Sequence, residues 1–247
     1  MRGLVVALQF MTRIPIPISL DIDEKTFGSS SRFFPLVGLI IGFFLALVYK
    51  IGVFFFPPLV MGALIIIAEI ILTGGLHLDG FMDTVDGLMS SRPKDEAIKI
   101  MKDSRVGAHS VTALFILLLL KFSVIVSLPG IFAPFYLLIM PVVGRWMLLY
   151  CLAFFPYAKG EGLGKAFCQN TNKGHWLFAT LFTLILFLLL LPFSQMISLL
   201  ITFLVMLTPI LGIVNFMGGH TGDTYGAVNE ITEVVFILIC LLLANFK

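Results

Sequence analysis

The chain has 247 residues, 59% of them hydrophobic and only 12% charged, against about 25% charged in ordinary soluble domains. A mean hydropathy of +1.07 is more than one globular core of this size can hide, so the surplus apolar surface needs lipid as its solvent and a soluble domain is excluded. A net charge of +2 gives no sign of nucleic-acid binding.

Residues 1–32 hold no full span. The run from Leu4 to Met11 is short, precedes Arg13 and two prolines, and lacks a small-residue cleavage site, so it is not read as a cleaved leader. It either lies along the interface or re-enters. A spanning helix needs about 20 mostly apolar residues. Candidates follow near 33–56, 58–73, 109–128, 132–155, 176–191, 195–216 and 231–246. The second is the shortest unless it continues into the acidic segment behind it. Pro57-Pro58, Pro129-Gly130 and Pro192 mark turns between them. The expected fold is all-α: one polytopic membrane helix bundle over residues 1–247, with about seven transmembrane helices.

Lysine and arginine accumulate on the cytoplasmic side of membrane proteins. Here Arg2, Arg13, Lys25, Arg32, Arg92, Lys94, Lys99, Lys102, Arg105, Lys159, Lys165 and Lys173 fall on one side of the expected topology. The opposite side has three very short connections without a basic residue, plus Lys247. The N-terminus is therefore predicted cytoplasmic and the C-terminus outside, with every chemically promising segment on the cytoplasmic face. Cys151, Cys168 and Cys240 show no CxxC spacing and read as free thiols filling apolar space.

The sharpest motif runs from Gly74 to Gly87 and places Asp79, Asp83 and Asp86 at i, i+4 and i+7. At 3.6 residues per turn they share one helix stripe. Stacked carboxylates repel, so either their protonation shifts or a cation fills the gap. An oxygen-only donor set favours magnesium, then manganese. Magnesium commonly shares its shell with substrate phosphates, so an acidic helix end at a membrane boundary suggests chemistry on a diphosphate. A solvated acidic face is the bland alternative. Gly80 and Gly87 weigh against it, because each weakens a helix by about 1 kcal/mol and implies close approach of a ligand or a neighbouring helix.

Lys99, Lys102 and Arg105 step at i, i+3 and i+6 and would share a face able to hold phosphate oxygens; ordinary positive-inside charge is the alternative. Gly218 to Glu230 is polar, glycine-rich and free of basic residues. Asp223 and Glu230, seven apart, would share a face if helical; a flexible loop before an acidic helix start is the other reading. Glu69 lies inside the second span and is a functional candidate by default, or pairs with Arg145 or Lys121. His77, His109, His175 and His220 show no transition-metal spacing, but His77 and His220 stand beside the acidic clusters. Arg13 either reaches a phosphate or anchors the interface.

Several segments together resemble the cobalamin synthase (adenosylcobinamide-GDP ribazoletransferase) family. They are Gln9 to Pro15, Phe34 to Gly38, Leu76 to Gly87, Met101 to Gly107, Gly144-Arg145, and Gly222 to Glu230. They fall in order along nearly the whole chain; the loop near 156–175 is the part least matched. The resemblance implies a multi-pass enzyme of the cytoplasmic membrane. It would join adenosylcobinamide-GDP to α-ribazole or its 5′-phosphate, releasing GMP, with magnesium as cofactor. It implies Asp79, Asp83 and Asp86 around the metal, with Asp83 or Asp86 as general base and His77 beside them as a further catalytic candidate. Arg13, Lys102, Asp103, Arg105, Asp223 and Glu230 would bind substrate. Homo-oligomerisation is left open. Rival readings are a CDP-alcohol-type phosphotransferase, whose pattern has Ala-Arg after the first Asp-Gly where this chain has Phe81-Met82, and an ion-coupled transporter, which usually carries inverted repeats.

Overall fold

Proline and glycine set where the helices of this chain begin and end. The computed structural model describes residues 2–158 and 162–245, so Lys159 and Lys247 lie outside the described residues. A short α1 (Arg2–Met11) and α2 (Glu24–Ser29) lead through a 3-10 turn into α3 (Phe34–Gly52). The Pro57-Pro58 pair then opens α4 (Pro58–Thr73), which stops at Gly74. Gly74 and Gly75 both sit in the left-handed region, at φ 67° and 70°. That conformation costs an ordinary side chain about 1–2 kcal/mol, and two glycines in succession let α5 (Leu76–Met89) leave at 92° to α4.

The chain continues with α6 (Lys94–Met101), α7 (Ala108–Val126), α8 (Ala133–Phe154), α9 (Leu163–Asn170), α10 (Lys173–Leu190), α11 (Met196–Met217) and α12 (Gly222–Asn245). Six helical segments are long and apolar enough to cross a membrane, or seven if the bent α4–α5 pair counts as one span. The predicted helical bundle is therefore present. α8 runs through its centre, with most of its side chains buried. α3 packs closely on α8 because Gly38 and Gly42, four residues apart, bring the backbones together; a Cβ on Gly38 would lie 2.5 Å from the Pro141 carbonyl oxygen. Small residues at this spacing are how helices approach in lipid, where apolar surfaces gain little from each other. Phe115 of α7, Phe178 of α10 and Leu204 of α11 face outward, as lipid-facing side chains should.

Two sequence expectations change. The sequence predicts the seventh span from 231, but α12 starts at Gly222, so the polar Gly222–Glu230 stretch is helix. Glu230, and Glu233 one turn further on, are tolerated inside because cations meet them there. Lys121 donates to Glu69 (2.8 Å), Glu233 (2.7 Å) and Glu230 (3.1 Å), and Arg145 pairs with Glu233 at 3.0 Å. All five are buried. This network ties α4, α7, α8 and α12 together, with Glu69 paired to Lys121. The second change concerns the basic stripe: α6 ends at Met101, so Lys99, Lys102 and Arg105 do not share a helix face.

Candidate active site

α5 and α12 cross in close contact. A Cβ on Gly80 would lie 2.8 Å from the Asp223 carbonyl oxygen, and one on Gly226 3.0 Å from the His77 carbonyl oxygen. The close approach implied by Gly80 is thus that of a helix, and Gly87 serves the same end against α6, where its Cβ would meet Met101. The crossing sets the aspartates of α5 beside Asp223 of α12 on the wall of a cavity of about 700 Å³.

Asp79 is exposed, and Asp83, Asp86 and Asp223 are partly buried. Among the described residues none of the four makes an ion pair within 4 Å. Lys102 and Arg105 line the same cavity from the loop after α6. Arg105 is exposed and clasps Asp103 through Nε (3.0 Å) and a second nitrogen (2.5 Å). Those hydrogen bonds hold the Asp103 carboxyl down at about 2. His77 is buried on the cavity wall, and its Nδ1 has no hydrogen-bond partner among the described residues.

Asp86 differs from its neighbours on the stripe. The Gly107 amide donates to one of its oxygens (2.8 Å) and the Ser110 amide to the other (3.1 Å). It therefore caps the N-terminus of α7, whose own cap residue Gly107 has no side chain to do so. Each oxygen accepts one amide and keeps one further acceptor site.

Among the described residues, the trio with carboxylate oxygens all within 4.8 Å of one another is Glu69, Glu230 and Glu233, and the Lys121 ammonium already occupies it. The cavity aspartates are spread more widely. Magnesium usually keeps several waters and takes substrate phosphate oxygens into its shell, so it does not require such a closed trio.

The profile of the CobS family, described as cobalamin-5-phosphate synthase, matches residues 3–241. The chain belongs to the cobalamin-5-phosphate synthase family. Similar full-length proteins carry the name adenosylcobinamide-GDP ribazoletransferase. The one from Desulfitobacterium hafniense is 40% identical over 96% of both chains. That of Acetivibrio thermocellus is 36% identical over 97% of both, and that of Clostridium novyi 37% identical over 98% of this chain and 97% of the relative. No solved structure is significantly similar to the chain.

In this cobalamin synthase family member the cavity gathers His77, Asp79, Asp83, Asp86, Lys102, Asp103, Arg105 and Asp223. Two candidates stand apart. Arg13 is exposed at the α4–α5 corner, its side chain lying where a Cβ on Gly74 would project and its amide donating to the Leu72 carbonyl (2.7 Å). Glu230 lies in the buried ionic network, because two helical turns separate it from Asp223. Sequence reasoning missed the wall made by Tyr157, Gly162 to Gly164 and Phe167. Its backbone is pinned to the α12 entry, where the His220 amide donates to Pro156 (2.9 Å) and the Ala158 amide to His220 (2.8 Å). Burial pushes the His220 imidazole down to about 4. The charges of this segment, Lys159, Glu161 and Lys165, follow no pattern, which left its glycines as the signal.

Proposed function

We propose that the chain transfers the cobinamide-phosphate group of adenosylcobinamide-GDP to a ribose hydroxyl of α-ribazole or its 5′-phosphate. The observation that carries this reading is the meeting, in one cavity, of Lys102 and Arg105 with α5 and α12 carboxylates that make no ion pair among the described residues. The family and the names of its relatives point to the same reaction.

The ribose hydroxyl oxygen attacks the phosphorus nearer the corrinoid. A new P–O bond forms, the bond to the bridging oxygen breaks, and GMP leaves with that electron pair. The hydroxyl proton passes to a cavity carboxylate. Asp83 suits this role, because the two amide bonds to Asp86 make that side chain the less free base. Lys102 and Arg105 hold phosphate oxygens, Arg105 exchanging its Asp103 partner for the diphosphate. Positioning and charge stabilisation dominate such transfers. Asp79, Asp83 and Asp223 would hold magnesium, with Asp86 within the same acidic wall. Bound there, the ion supplies charge neutralisation of the diphosphate and of the departing GMP. The reaction is assigned to the cytoplasmic face of the cytoplasmic membrane, because the basic residues crowd the side that carries the cavity.

The test is a product assay on purified protein in liposomes with adenosylcobinamide-GDP and α-ribazole 5′-phosphate, with magnesium or EDTA. Mass spectrometry should find GMP and the joined corrinoid with magnesium and neither with EDTA. Folded protein that forms neither product under both conditions rules the reaction out.

A further inference from the structure

The cavity has two chemically opposed walls. One is the acidic wall already described. The other consists of Phe10 and Met11 from α1, Phe34 from α3, Leu148 and Leu152 from α8, and Phe167 from α9; none of the six carries a polar side-chain group. The Phe167 ring lies 4.9 Å from that of Phe10 and 5.1 Å from that of Phe34. Met11, Phe34, Leu148, Leu152 and Phe167 are buried and back the surface, and Phe10 is the partly exposed ring that a ligand can reach.

Resting on the ribazoletransferase reading, we infer that this apolar wall seats the dimethylbenzimidazole base of α-ribazole. The two substrates bring two bases. Guanine presents donors and acceptors on two edges, and each left unpaired against an apolar wall costs free energy. Dimethylbenzimidazole presents two methyl groups, a flat π-face and one free ring nitrogen, so it stacks on a phenylalanine ring with little left unpaired. The corrin ring, fringed with amides, is no better suited than guanine. The wall lines the same cavity as the carboxylates, so a base seated on it keeps the attached ribose in the chamber that holds them. The subsite thus determines which nucleoside supplies the attacking hydroxyl.

The experiment uses the full chain in liposomes and free 5,6-dimethylbenzimidazole as probe. With the unaltered protein turning over, the probe should inhibit competitively against α-ribazole and not against adenosylcobinamide-GDP. Phe10→Ala should raise KM for α-ribazole about tenfold, with KM for adenosylcobinamide-GDP within about twofold. Competition against adenosylcobinamide-GDP instead, or no inhibition, overturns the subsite while leaving the reaction standing. Absence of turnover by the unaltered protein removes the reaction and the subsite with it. Should Phe10→Ala fold poorly, the ribosides of benzimidazole and dimethylbenzimidazole can be compared on the unaltered protein. Loss of both methyl groups should raise KM about tenfold or more, and equal KM values would overturn the assignment.

Discussion

Gly80 and Gly226 face each other across the α5–α12 crossing, and a Cβ on Gly226 would lie 3.5 Å from the Gly80 Cα. A methyl on Gly80 would press on the Asp223 backbone from 2.8 Å and move the helices that carry the aspartates. Displacements near 1 Å at reacting groups cost roughly 100-fold in rate. Gly80→Ala should therefore lower kcat by about that factor in folded protein. Gly212→Ala is the control: its Cβ meets nothing within 4 Å, and the change should leave kcat alone and stabilise α11 by up to about 1 kcal/mol.

Asp83 and Asp86 should separate by mutation. Asp83→Asn should cut kcat by about 100-fold or more, the range for loss of a general base, with an unchanged melting temperature. Asp86→Ala should also lower stability by about 1 kcal/mol, because the α7 cap goes with it. Paired activity and thermal-unfolding measurements on both variants distinguish the roles.

The buried network predicts an asymmetry between partners. Lys121→Met leaves three carboxylates without their shared cation and should destabilise the protein by about 3–5 kcal/mol, read as loss of folded protein from membranes. Glu230→Gln keeps an oxygen for Lys121 and does not touch the cavity, so it should retain most of the activity. Loss of turnover in a folded Glu230→Gln protein would return Glu230 to the site.

His220 sets a pH dependence. Its imidazole is pushed down to about 4 by burial, against about 6.5 in the unfolded chain. Between those values the unfolded state binds a proton that the folded state does not. Stability is therefore full above about pH 6.5 and falls as the pH drops toward 4, by on the order of 3 kcal/mol in total. His220→Gln should flatten this part of the thermal-stability profile in detergent.

Hydropathy made most spans legible: the stretch expected at 58–73 is α4, and that at 132–155 is α8 over Ala133–Phe154. Periodicity also placed the three aspartates on one helix. What it could not reveal were partners far along the chain. The early start of α12 depends on Lys121, 109 residues before Glu230. The cap on α7 joins Asp86 to an amide 21 residues away. Angular spacing put Asp223 and Glu230 on one face, but seven residues also separate them by about 10 Å along the axis, which is the difference between a cavity and a buried network. The basic stripe failed because α6 ends at Met101 and the Asp103 carboxylate then takes the Arg105 amide in a turn.

α12 supplies Asp223 to the cavity, Gly226 to the crossing, and Glu230 and Glu233 to Lys121 and Arg145. During synthesis α7 and α8 enter the bilayer well before it. Until α12 arrives, Glu69 is the sole acid of the network available to two cations. Completion of α12 therefore gives both buried cations further acidic partners and creates the reaction chamber in one event. A nascent chain stopped short of it lacks Asp223 in the cavity and leaves Lys121 and Arg145 with Glu69 as their one acid of the network in lipid.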